Sequence, residues 1–301
     1  MDLSVIIVSY NTRGHLARCL QALLAGAERV KWEAIVVDNA SHDGSPEMVA
    51  REFPNVTLIV NPENVGFARA CNQGFRMARG ESLLFLNPDT EPKPGSIAAL
   101  MGYLRDNPRL GAVGPRLCNP NGQLARSSFR FPSLLRPFLN FHIVQHLAGE
   151  RFGLPYPLED PRVREGGPVD WLSGACLLVR RQALDEAGPL DERYFMYFED
   201  IDLCRRIWEA GWEVVYRPDV EVFHVGGASA CGQQTRLSIE HQRSRLIYFS
   251  THHPGLKYRV VRCMAGIAAL VRILRWLFTS QHQHLKTEAQ ILKLTMTGVN
   301  I

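Results

Sequence analysis

The amino-acid sequence predicts an α/β fold built on a mainly parallel, Rossmann-like sheet with flanking helices. Four short apolar runs rich in β-branched residues recur in the first third of the chain, separated by stretches able to form helices. This alternation is typical of βαβ units, in which a helix connects two parallel strands. The predicted strands are Leu3 to Val8, Ala34 to Val37, Val56 to Val60 and Leu83 to Leu86.

Four helices are predicted between and after these strands. The second begins at Ser45, a residue whose hydroxyl can cap a helix, and Pro46 suits the first helical position because no hydrogen-bonded N–H is needed there. The predicted helices are Arg13 to Ala25, Ser45 to Glu52, Gly66 to Ala78 and Gly95 to Arg105.

The middle of the chain departs from this pattern. From Pro115 to Pro168 the sequence is rich in Pro, Gly, Asn and Arg, which predicts a long irregular insertion. Regular structure is predicted to return with a helix from Glu199 to Ala210, which Gly211 ends. The strands predicted in this part are Trp171 to Val179, Glu213 to Tyr216 and Glu221 to Val225.

Composition indicates a globular protein. Hydrophobic residues make up 46% and charged residues 21% of the 301 residues, close to the average for globular domains. The seven cysteines are dispersed and form no C-x-x-C pair, so we expect reduced, structural thiols. No basic leader with an apolar core precedes the first strand, so we expect a cytoplasmic protein that is not exported.

Positive charge is concentrated near the C-terminus, because residues 241–287 carry eight Lys or Arg and no Asp or Glu. The longest uncharged stretch of the helix predicted there, Cys263 to Val271, has nine residues and is too short to span a bilayer. An interfacial helix on anionic lipid is the favoured interpretation, and a dimer contact or a core-packing helix is the alternative. One face holds Val260, Met264, Ile267, Val271, Leu274 and Phe278, and Arg259, Arg262, Arg272 and Arg275 flank the other.

Polar residues follow all four predicted strands of the first part of the chain. In open α/β sheets, ligands bind beyond the carboxyl ends of the strands, so these residues are the first candidates for a site. They are Ser9, Tyr10 and Asn11 after the first strand, Asp38 and Asn39 after the second, residues 61–64 after the third, and Asn87, Pro88 and Asp89 after the fourth.

A glycine-rich phosphate loop is missing after the first strand, where the chain reads SYNTRGH. A nucleotide would therefore be held by side chains and a metal ion. Asp38 and Asp89 are the candidate acids; either one alone could serve a turn, but acids that end two strands would face the same crevice. Because Mg²⁺ and Mn²⁺ prefer oxygen ligands, Asp89 is predicted to hold one of these ions against a nucleotide diphosphate.

A second group of acids opens the helix predicted from Glu199. Acids in a first turn can simply complement the helix dipole. At about 100° per residue, Asp200 projects about 50° from the centre of the apolar face, whereas Glu199 and Asp202 project about 150° from it. Asp200 is therefore the acid that the dipole explains least well, and burial would raise its pKa. His224, before two glycines, is a further candidate, although a single His is usually structural.

Six segments then carry a family resemblance. In chain order they read VIIVSYNT, VVDNASHDGS, NVGFARACNQG, FLNPDT, DWLSGACLLVRR and FMYFEDIDLCRR, with His224 after the last. With these segments the chain resembles family 2 inverting glycosyltransferases of the GT-A fold, in particular a bacterial branch similar to rhamnosyltransferases. The resemblance covers roughly residues 3 to 255.

This resemblance implies a site for a nucleotide sugar and a divalent cation, Mg²⁺ or Mn²⁺. Asp89 is similar to the metal-binding acid of the family's DxD motif, in which this chain has Asn87 at the first position and so one carboxylate fewer. His224 is similar to a histidine that completes the coordination of the metal. The implied donor-binding residues are Tyr10, Asn11, Thr12, Asp38, Asn64, Gly66, Asn72, Asn87 and Asp89.

The resemblance also implies the catalytic residues and the reaction. Asp200 is the implied base, Glu199 and Asp202 would support it, and residues 171–174 would line the acceptor side. The implied reaction is a single in-line displacement with inversion, from dTDP-rhamnose or, as the alternative, a UDP-sugar. The acceptor would be a saccharide or lipid-linked saccharide of cell-envelope polysaccharide synthesis, at the inner face of the plasma membrane.

Three rival functions are weaker. A sugar nucleotidyltransferase needs a glycine-rich basic loop where this chain has SYNTRGH. A non-catalytic carbohydrate-binding relative would have lost part of the set Asp38, Asp89, Asp200 and His224. Nucleic-acid binding is not expected, because the basic segment contains no recognisable reading motif.

We predict a glycosyltransferase domain at residues 1–255 and a basic amphipathic helical segment at 256–301. Within the domain, residues 1–114 would bind the nucleotide sugar and residues 115–255 would contribute the acceptor and catalytic half.

Overall fold

The computed structural model describes residues 1–26, 30–119, 121–132, 161–226, 234–277 and 284–299. The chain forms two compact units. The first comprises Met1–Phe131, Pro155–Glu192 and Asp200–Ser229, and the second comprises Pro132–Leu154, Arg193–Glu199 and Ala230–Ile301.

The first unit begins with alternating strands and helices, as predicted. Because the apolar runs are buried by helices on the sheet, strands β1 and β4 are buried along their whole length. The elements are β1 Leu3–Ser9, α1 Arg13–Gly26, β2 Trp32–Asp38, α2 Ser45–Glu52, β3 Thr57–Val60, α3 Phe67–Met77 and β4 Ser82–Leu86.

Shorter strands and helices complete the first unit. Its remaining elements are β5 Thr90–Pro92, α4 Ser96–Asp106, β6 Leu110–Cys118, β7 Leu124–Ala125, β8 Ser128–Phe129, α5 Pro161–Arg164, β9 Gly167–Pro168, β10 Trp171–Leu172, β11 Cys176–Arg180, α6 Arg181–Ala187, α7 Glu199–Glu209 and β12 Glu213–His224. The first residue of α7 belongs to the second unit.

Among the described residues, most strands join one sheet in the order β3, β2, β1, β4, β11, β6, β12, β5. The pairs β1–β2, β1–β4, β2–β3 and β6–β12 are parallel, and β11 and β5 insert antiparallel to their neighbours. The predicted mainly parallel sheet is thus confirmed. Ser9 pairs with Asp38 in the β1–β2 register, so these strands end side by side.

Four predictions of local structure are wrong. The strand predicted over Trp171 to Val179 is two strands, β10 and β11, separated by a turn. The strands predicted at Glu213 to Tyr216 and Glu221 to Val225 are one strand, β12, whose register shifts between Arg217 and Glu221. The irregular insertion begins later than Pro115, because β6 continues to Cys118. Helix α2 is preceded by Gly44 rather than capped by Ser45.

The position of Gly44 explains the last difference. Its φ of 80° lies in the left-handed region that glycine adopts readily. Asp43 Oδ1 accepts hydrogen bonds from both the N–H and the hydroxyl of Ser45, so that hydroxyl is not available to cap the helix.

The second unit contains three described helices: α8 Gln234–His252, α9 Leu256–Leu277 and α10 Leu285–Thr297. Val261, Met264, Ala265 and Ala269 of α9 are buried, and α9 packs closely against α10. Helix α8 also packs against both of these helices, and the last part of the second unit begins at Ala230, before α8.

Helix α9 has two apolar faces where the sequence predicted one. Met264 is buried, whereas Ile267, Val271 and Leu274 of the same predicted face are 44% to 56% exposed. Phe278 lies outside the described residues. Within the described part of the chain, no helix is long and apolar enough to cross a membrane.

Five of the described cysteines are buried, and Cys263 is exposed. Cys231 lies outside the described residues.

Candidate active site

Asp38 ends β2 at the carboxyl edge of the sheet and is only 1% exposed. Its Oδ1 atom accepts a hydrogen bond of 2.8 Å from the Ser41 N–H, whereas its Oδ2 atom is buried and has no hydrogen-bond partner. Burial raises the pKa of this carboxyl, and the bond from Ser41 opposes that effect. A buried oxygen without a donor is costly, so Oδ2 is suited to accept a hydrogen bond from a ligand.

The loop after β1 is tied to the loop after β2. Asn11 has a φ of 53°; its N–H donates to Ser41 Oγ, and its side-chain oxygen accepts from the His42 N–H, both at 2.8 Å. Thr12 is buried, and its hydroxyl lies 3.1 Å from that of Ser9. The predicted donor-binding residues Asn11 and Thr12 therefore fix the loop, while Tyr10 beside them is half-buried.

Buried amides fix the third loop of the edge. Asn61 Nδ2 donates to Asn39 Oδ1 and to Gln73 Oε1, both at 2.9 Å, and Asn39 Nδ2 donates to the carbonyl of Gly66. Gly66 has a φ of 90° and a ψ of 169°, a conformation essentially restricted to glycine. Its N–H donates to Asn64 Oδ1 at 3.0 Å. This network holds Asn64 and Gly66 in place, as a binding loop requires.

Asn72 joins two segments of the first unit through its side-chain amide. It donates to the Leu190 carbonyl at 2.8 Å and to Glu192 Oε1 at 3.0 Å, and it accepts from the Leu190 N–H. These contacts tie α3 to the segment that follows α6. The predicted contribution of Asn72 to the donor pocket stays a prediction.

Asp89 and His224 come together at the end of the sheet. Asp89 precedes β5, and the antiparallel pairing of β5 with β12 sets His224 opposite Thr90. His224 Nε2 consequently lies 3.2 Å from Asp89 Oδ1; it is buried and makes no hydrogen bond. Asn87 begins the same turn, since its carbonyl accepts bonds from the N–H and the hydroxyl of Thr90.

A carboxylate oxygen beside an imidazole nitrogen can ligate one divalent cation. In the described part of the chain, no group of three or more His, Cys, Asp or Glu side chains could hold a metal ion. Asp89 and His224 therefore fit a site in which the diphosphate of a substrate and water complete the coordination, as is common for Mg²⁺.

Asp200 is held at the same edge by a short chain of hydrogen bonds. The Asn87 N–H donates to the Ala175 carbonyl, and the neighbouring Gly174 N–H donates to Asp200 Oδ2 at 3.0 Å. Asp200 Oδ1 accepts from the Ile201 N–H at 2.9 Å. Burial raises the pKa of this half-buried carboxyl, and the backbone N–H groups oppose the rise. A carboxylate with a raised pKa is suited to general-base chemistry.

The expected position of Glu199 and Asp202, away from the packed side of α7, is wrong. Both side chains are buried, and Asp202 is only 1% exposed. Asp202 Oδ2 accepts a 2.7 Å bond from Arg206 Nε, and Arg206 Nη1 donates to the carbonyls of Ala187 and Gly188. The helix is covered on more than its apolar side, so Asp202 serves packing through Arg206.

The segment predicted to line the acceptor side joins a small two-stranded sheet. Trp171 stacks on Phe129, with ring centroids 4.2 Å apart, and its indole N–H donates to the Arg130 carbonyl. Gly174 approaches Asp200 so closely that a Cβ atom there would lie 3.4 Å from Asp200 Cβ. The residues before β11 therefore border the candidate base.

Sequence reasoning did not foresee the amide network around Asn39 and Asn61. Both residues were noted as polar ends of strands, but only the fold brings Gln73 of α3 within hydrogen-bonding distance of Asn61. The signal that could have found it is the regular recurrence of Asn after the predicted strands.

Comparisons with known proteins agree with this geometry. The family described as "Glycosyl transferase family 2" matches residues 4–188. The chain is 36% identical over 266 residues to an N-acetylglucosaminyl-diphospho-decaprenol L-rhamnosyltransferase of Mycobacterium tuberculosis, covering 84% of this chain and 85% of that protein. It is 26% identical over 227 residues to rhamnosyltransferase WbbL of Escherichia coli, covering 73% and 82% of the two chains.

Among solved structures, the mannosyltransferase PcManGT of Pyrobaculum calidifontis, in complex with GDP-Man and Mn²⁺, is similar with a TM-score of 0.56 and 20% identity. The match covers 99% of this chain and 76% of that protein, and the predicted GT-A type of fold is confirmed. With a family match over more than half of its length and a close relative over most of it, the chain belongs to glycosyl transferase family 2.

Proposed function

We propose that this protein is an inverting, metal-dependent glycosyltransferase that moves a sugar from a nucleoside diphosphate to a hydroxyl of a lipid-linked saccharide. One observation carries the proposal. The carboxyl edge of the sheet gathers the unsatisfied Asp38 oxygen, the Asp89–His224 pair and the half-buried Asp200. A transfer assay with a panel of nucleotide sugars, after a thermal-shift screen in the presence of Mn²⁺, tests it.

The proposed reaction assigns one step to each part of this edge. Asp200 takes the proton of the acceptor hydroxyl while that oxygen forms a bond to the anomeric carbon of the donor sugar. The bond from the anomeric carbon to the diphosphate oxygen breaks on the opposite face, which inverts the configuration. Asp89 and His224 would hold Mg²⁺ or Mn²⁺, whose charge stabilises the departing diphosphate.

The names of the relatives suggest which sugar and which acceptor this protein uses. The mycobacterial relative is named for rhamnosyl transfer to a diphospho-decaprenol-linked saccharide, and the E. coli relative is a rhamnosyltransferase. We therefore propose rhamnose as the transferred sugar, dTDP-rhamnose as its donor, and a lipid-linked saccharide of the cell envelope as the acceptor. A UDP-sugar is the alternative donor.

We expect free dTDP to compete for the donor site more strongly than free UDP. Thymine differs from uracil by one methyl group, which is worth about 1 to 3 kcal/mol in a fitted pocket. Competition binding with the two diphosphates measures the difference, and a clear preference for UDP would overturn this choice of base.

The same experiment tests Asp38. Asp38→Asn should weaken the binding of both diphosphates roughly tenfold. The remaining oxygen can still accept the hydrogen bond from Ser41, but an amide NH₂ replaces the oxygen that would accept a hydrogen bond from the pyrimidine base of the nucleotide. Asp106→Asn, an exposed acid at the end of α4, is the matched control. Equal affinities in wild type and Asp38→Asn would remove Asp38 from the donor site.

We also propose that α9 lies on an anionic membrane surface, at the inner face of the plasma membrane, rather than forming a dimer contact. Its second apolar face, with Ile267, Leu270, Val271 and Leu274, is exposed. The helix carries Arg259, Arg262, Arg272 and Arg275 and no acidic residue. An apolar face flanked by arginines matches a surface of negatively charged lipid heads above acyl chains.

The double variant Ile267→Gln and Leu274→Gln should bind vesicles of anionic phospholipid at least about tenfold more weakly than wild type, because it removes two apolar side chains that would be buried among the acyl chains. Flotation with these vesicles measures the loss. Leu24→Gln, which changes an exposed apolar residue of α1, is the matched control. Equal flotation of the double variant and wild type would contradict the membrane contact.

A further inference from the structure

The second unit contains a cleft of about 470 Å³ that the proposed reaction does not use. Helices α8, α9 and α10 and the segment before α7 contribute to its walls. The residues that matter for its chemistry are Tyr197, His241, Gln242, Arg272 and Glu288.

The cleft holds a carboxylate with an unused acceptor. Glu288 is 9% exposed, and its Oε1 accepts a 2.7 Å bond from Arg272 Nε. Its Oε2 atom is buried and has no hydrogen-bond partner. Since a buried carboxylate oxygen without a hydrogen bond lowers stability, this atom is suited to accept a hydrogen bond from a hydroxyl of a ligand.

Positive charge around the cleft exceeds negative charge. Arg245 of α8 lies close enough to Arg272 and His241 to interact with both, and burial together with the neighbouring cation lowers the pKa of its guanidinium and of the His241 imidazole. Among the described residues that line the cleft, Glu288 is the only acid. Glu288 is bonded to Arg272, and Arg245 lies next to Arg272 but outside the residues that line the cleft, so this group carries one more cation than anion, which a bound anion would offset.

Tyr197, an aromatic residue that lines the cleft, has a strained backbone conformation. Tyr197 and Phe198 both have a φ of 69°, a left-handed backbone conformation that is strained for non-glycine residues. Helix α8 holds them: His241 packs edge-on against both rings at centroid distances of 5.5 and 5.4 Å, and Ser244 Oγ donates to the Met196 carbonyl. Strain of this kind gathers at binding sites.

We propose that this cleft binds the sugar phosphate head group of the lipid-linked acceptor, an inference that rests on the proposed function. Arg245 and Arg272 would bind the phosphate, Glu288 would accept a hydrogen bond from a sugar hydroxyl, and the aromatic ring of Tyr197 would pack against the sugar ring. One further fact suits a lipid-linked acceptor. The exposed apolar face of α9 belongs to the same helix as Arg272.

Isothermal titration calorimetry of the full chain tests the cleft without any need for turnover. The probes are N-acetylglucosamine 1-phosphate, N-acetylglucosamine and inorganic phosphate, with Mg²⁺ and saturating nucleoside diphosphate so that the donor site is filled. We expect the sugar phosphate to bind more tightly than either of the other two probes. Binding of none of the three, or equal binding of the sugar phosphate and inorganic phosphate, would overturn the proposal.

Two variants should change the binding in different directions. Arg245→Gln should weaken sugar phosphate and inorganic phosphate about tenfold and leave the free sugar unchanged. Glu288→Gln should weaken the free sugar and strengthen inorganic phosphate, because it removes an acceptor and a negative charge together. A loss of folding would weaken all probes alike, so the opposite signs identify the site.

Lys293→Gln is the matched control, since it removes one positive charge from an exposed position of the helix that carries Glu288. It should leave all three affinities unchanged. In transfer assays Arg245→Gln should raise the KM for the lipid-linked acceptor about tenfold without changing the donor KM. A weakening by Lys293→Gln equal to that by Arg245→Gln would contradict the assignment. If the probes bind as expected but no transfer is detected, the proposed transferase function is wrong and the assignment of a sugar phosphate site to the cleft is retained.

Discussion

Replacing Asp200 with Asn should lower turnover roughly 10²- to 10⁴-fold while donor affinity changes little. An acceptor hydroxyl is a poor nucleophile near neutral pH, so a carboxylate that takes its proton contributes about that factor. The Gly174 and Ile201 N–H groups fix the orientation of the Asp200 carboxylate. Turnover and donor affinity of the variant, measured under the same conditions, check the prediction.

The pH dependence provides a second readout. Burial raises the pKa of Asp200, so the rate should fall as the pH falls through that raised value, above the ~3.9 of an ordinary aspartate. Protonation removes the base, and the loss therefore lies on the acidic side. The residual activity of Asp200→Asn should lack this acidic limb.

A stability control accompanies this variant. Both carboxylate oxygens of Asp200 accept backbone N–H groups, and an amide NH₂ accepts none, so Asn should cost about 1 to 3 kcal/mol of unfolding free energy. Glu199→Gln is the comparison. If Glu199 were the base, Glu199→Gln would show the larger loss and Asp200→Asn would mainly disturb folding. An Asp200→Asn enzyme within about tenfold of wild type would rule out the assignment.

Although β3 at the edge of the sheet is partly exposed, most of the first half of the sheet could be predicted because β1, β4 and most of β2 are buried. Such strands read as unbroken apolar runs, and the helices between them have regular lengths, so β1 to β4 and α1 to α4 follow from the sequence within a few residues. The ends of these strands also located Asp38 and Asp89. The chemistry of this edge is therefore mostly readable from local sequence.

Residues that depend on distant contacts could not be predicted. Asp202 was expected on the exposed side of its helix because a helical projection assumes one packed face. In the structure it accepts a hydrogen bond from Arg206, which in turn donates to a carbonyl at the end of α6. The prediction of a single apolar face on α9 failed for the same reason: Met264 is buried, whereas Ile267 is exposed. The strand β5 has three residues and exists only through its pairing with β12.

Excess chelator should abolish transfer, and Mn²⁺ or Mg²⁺ should restore it. Asp89 and His224 provide two ligands at most, so the ion would depend on the donor diphosphate for the rest of its coordination. Metal affinity measured without the nucleotide should consequently be weak and should rise when a nucleoside diphosphate is present. Titration of the metal against transfer rate, with and without added nucleoside diphosphate, measures this coupling.

His224→Ala should raise the metal concentration for half-maximal rate at least about tenfold, because even partners that only orient a ligand contribute that much to metal affinity. His15→Ala, on α1 and bonded to Arg18, removes a histidine outside this pair and should leave the metal requirement unchanged. The two variants separate a ligand from a general effect of losing an imidazole. Full activity in excess chelator would refute the metal site, and an unchanged metal requirement in His224→Ala would leave Asp89 as the only candidate ligand of the two.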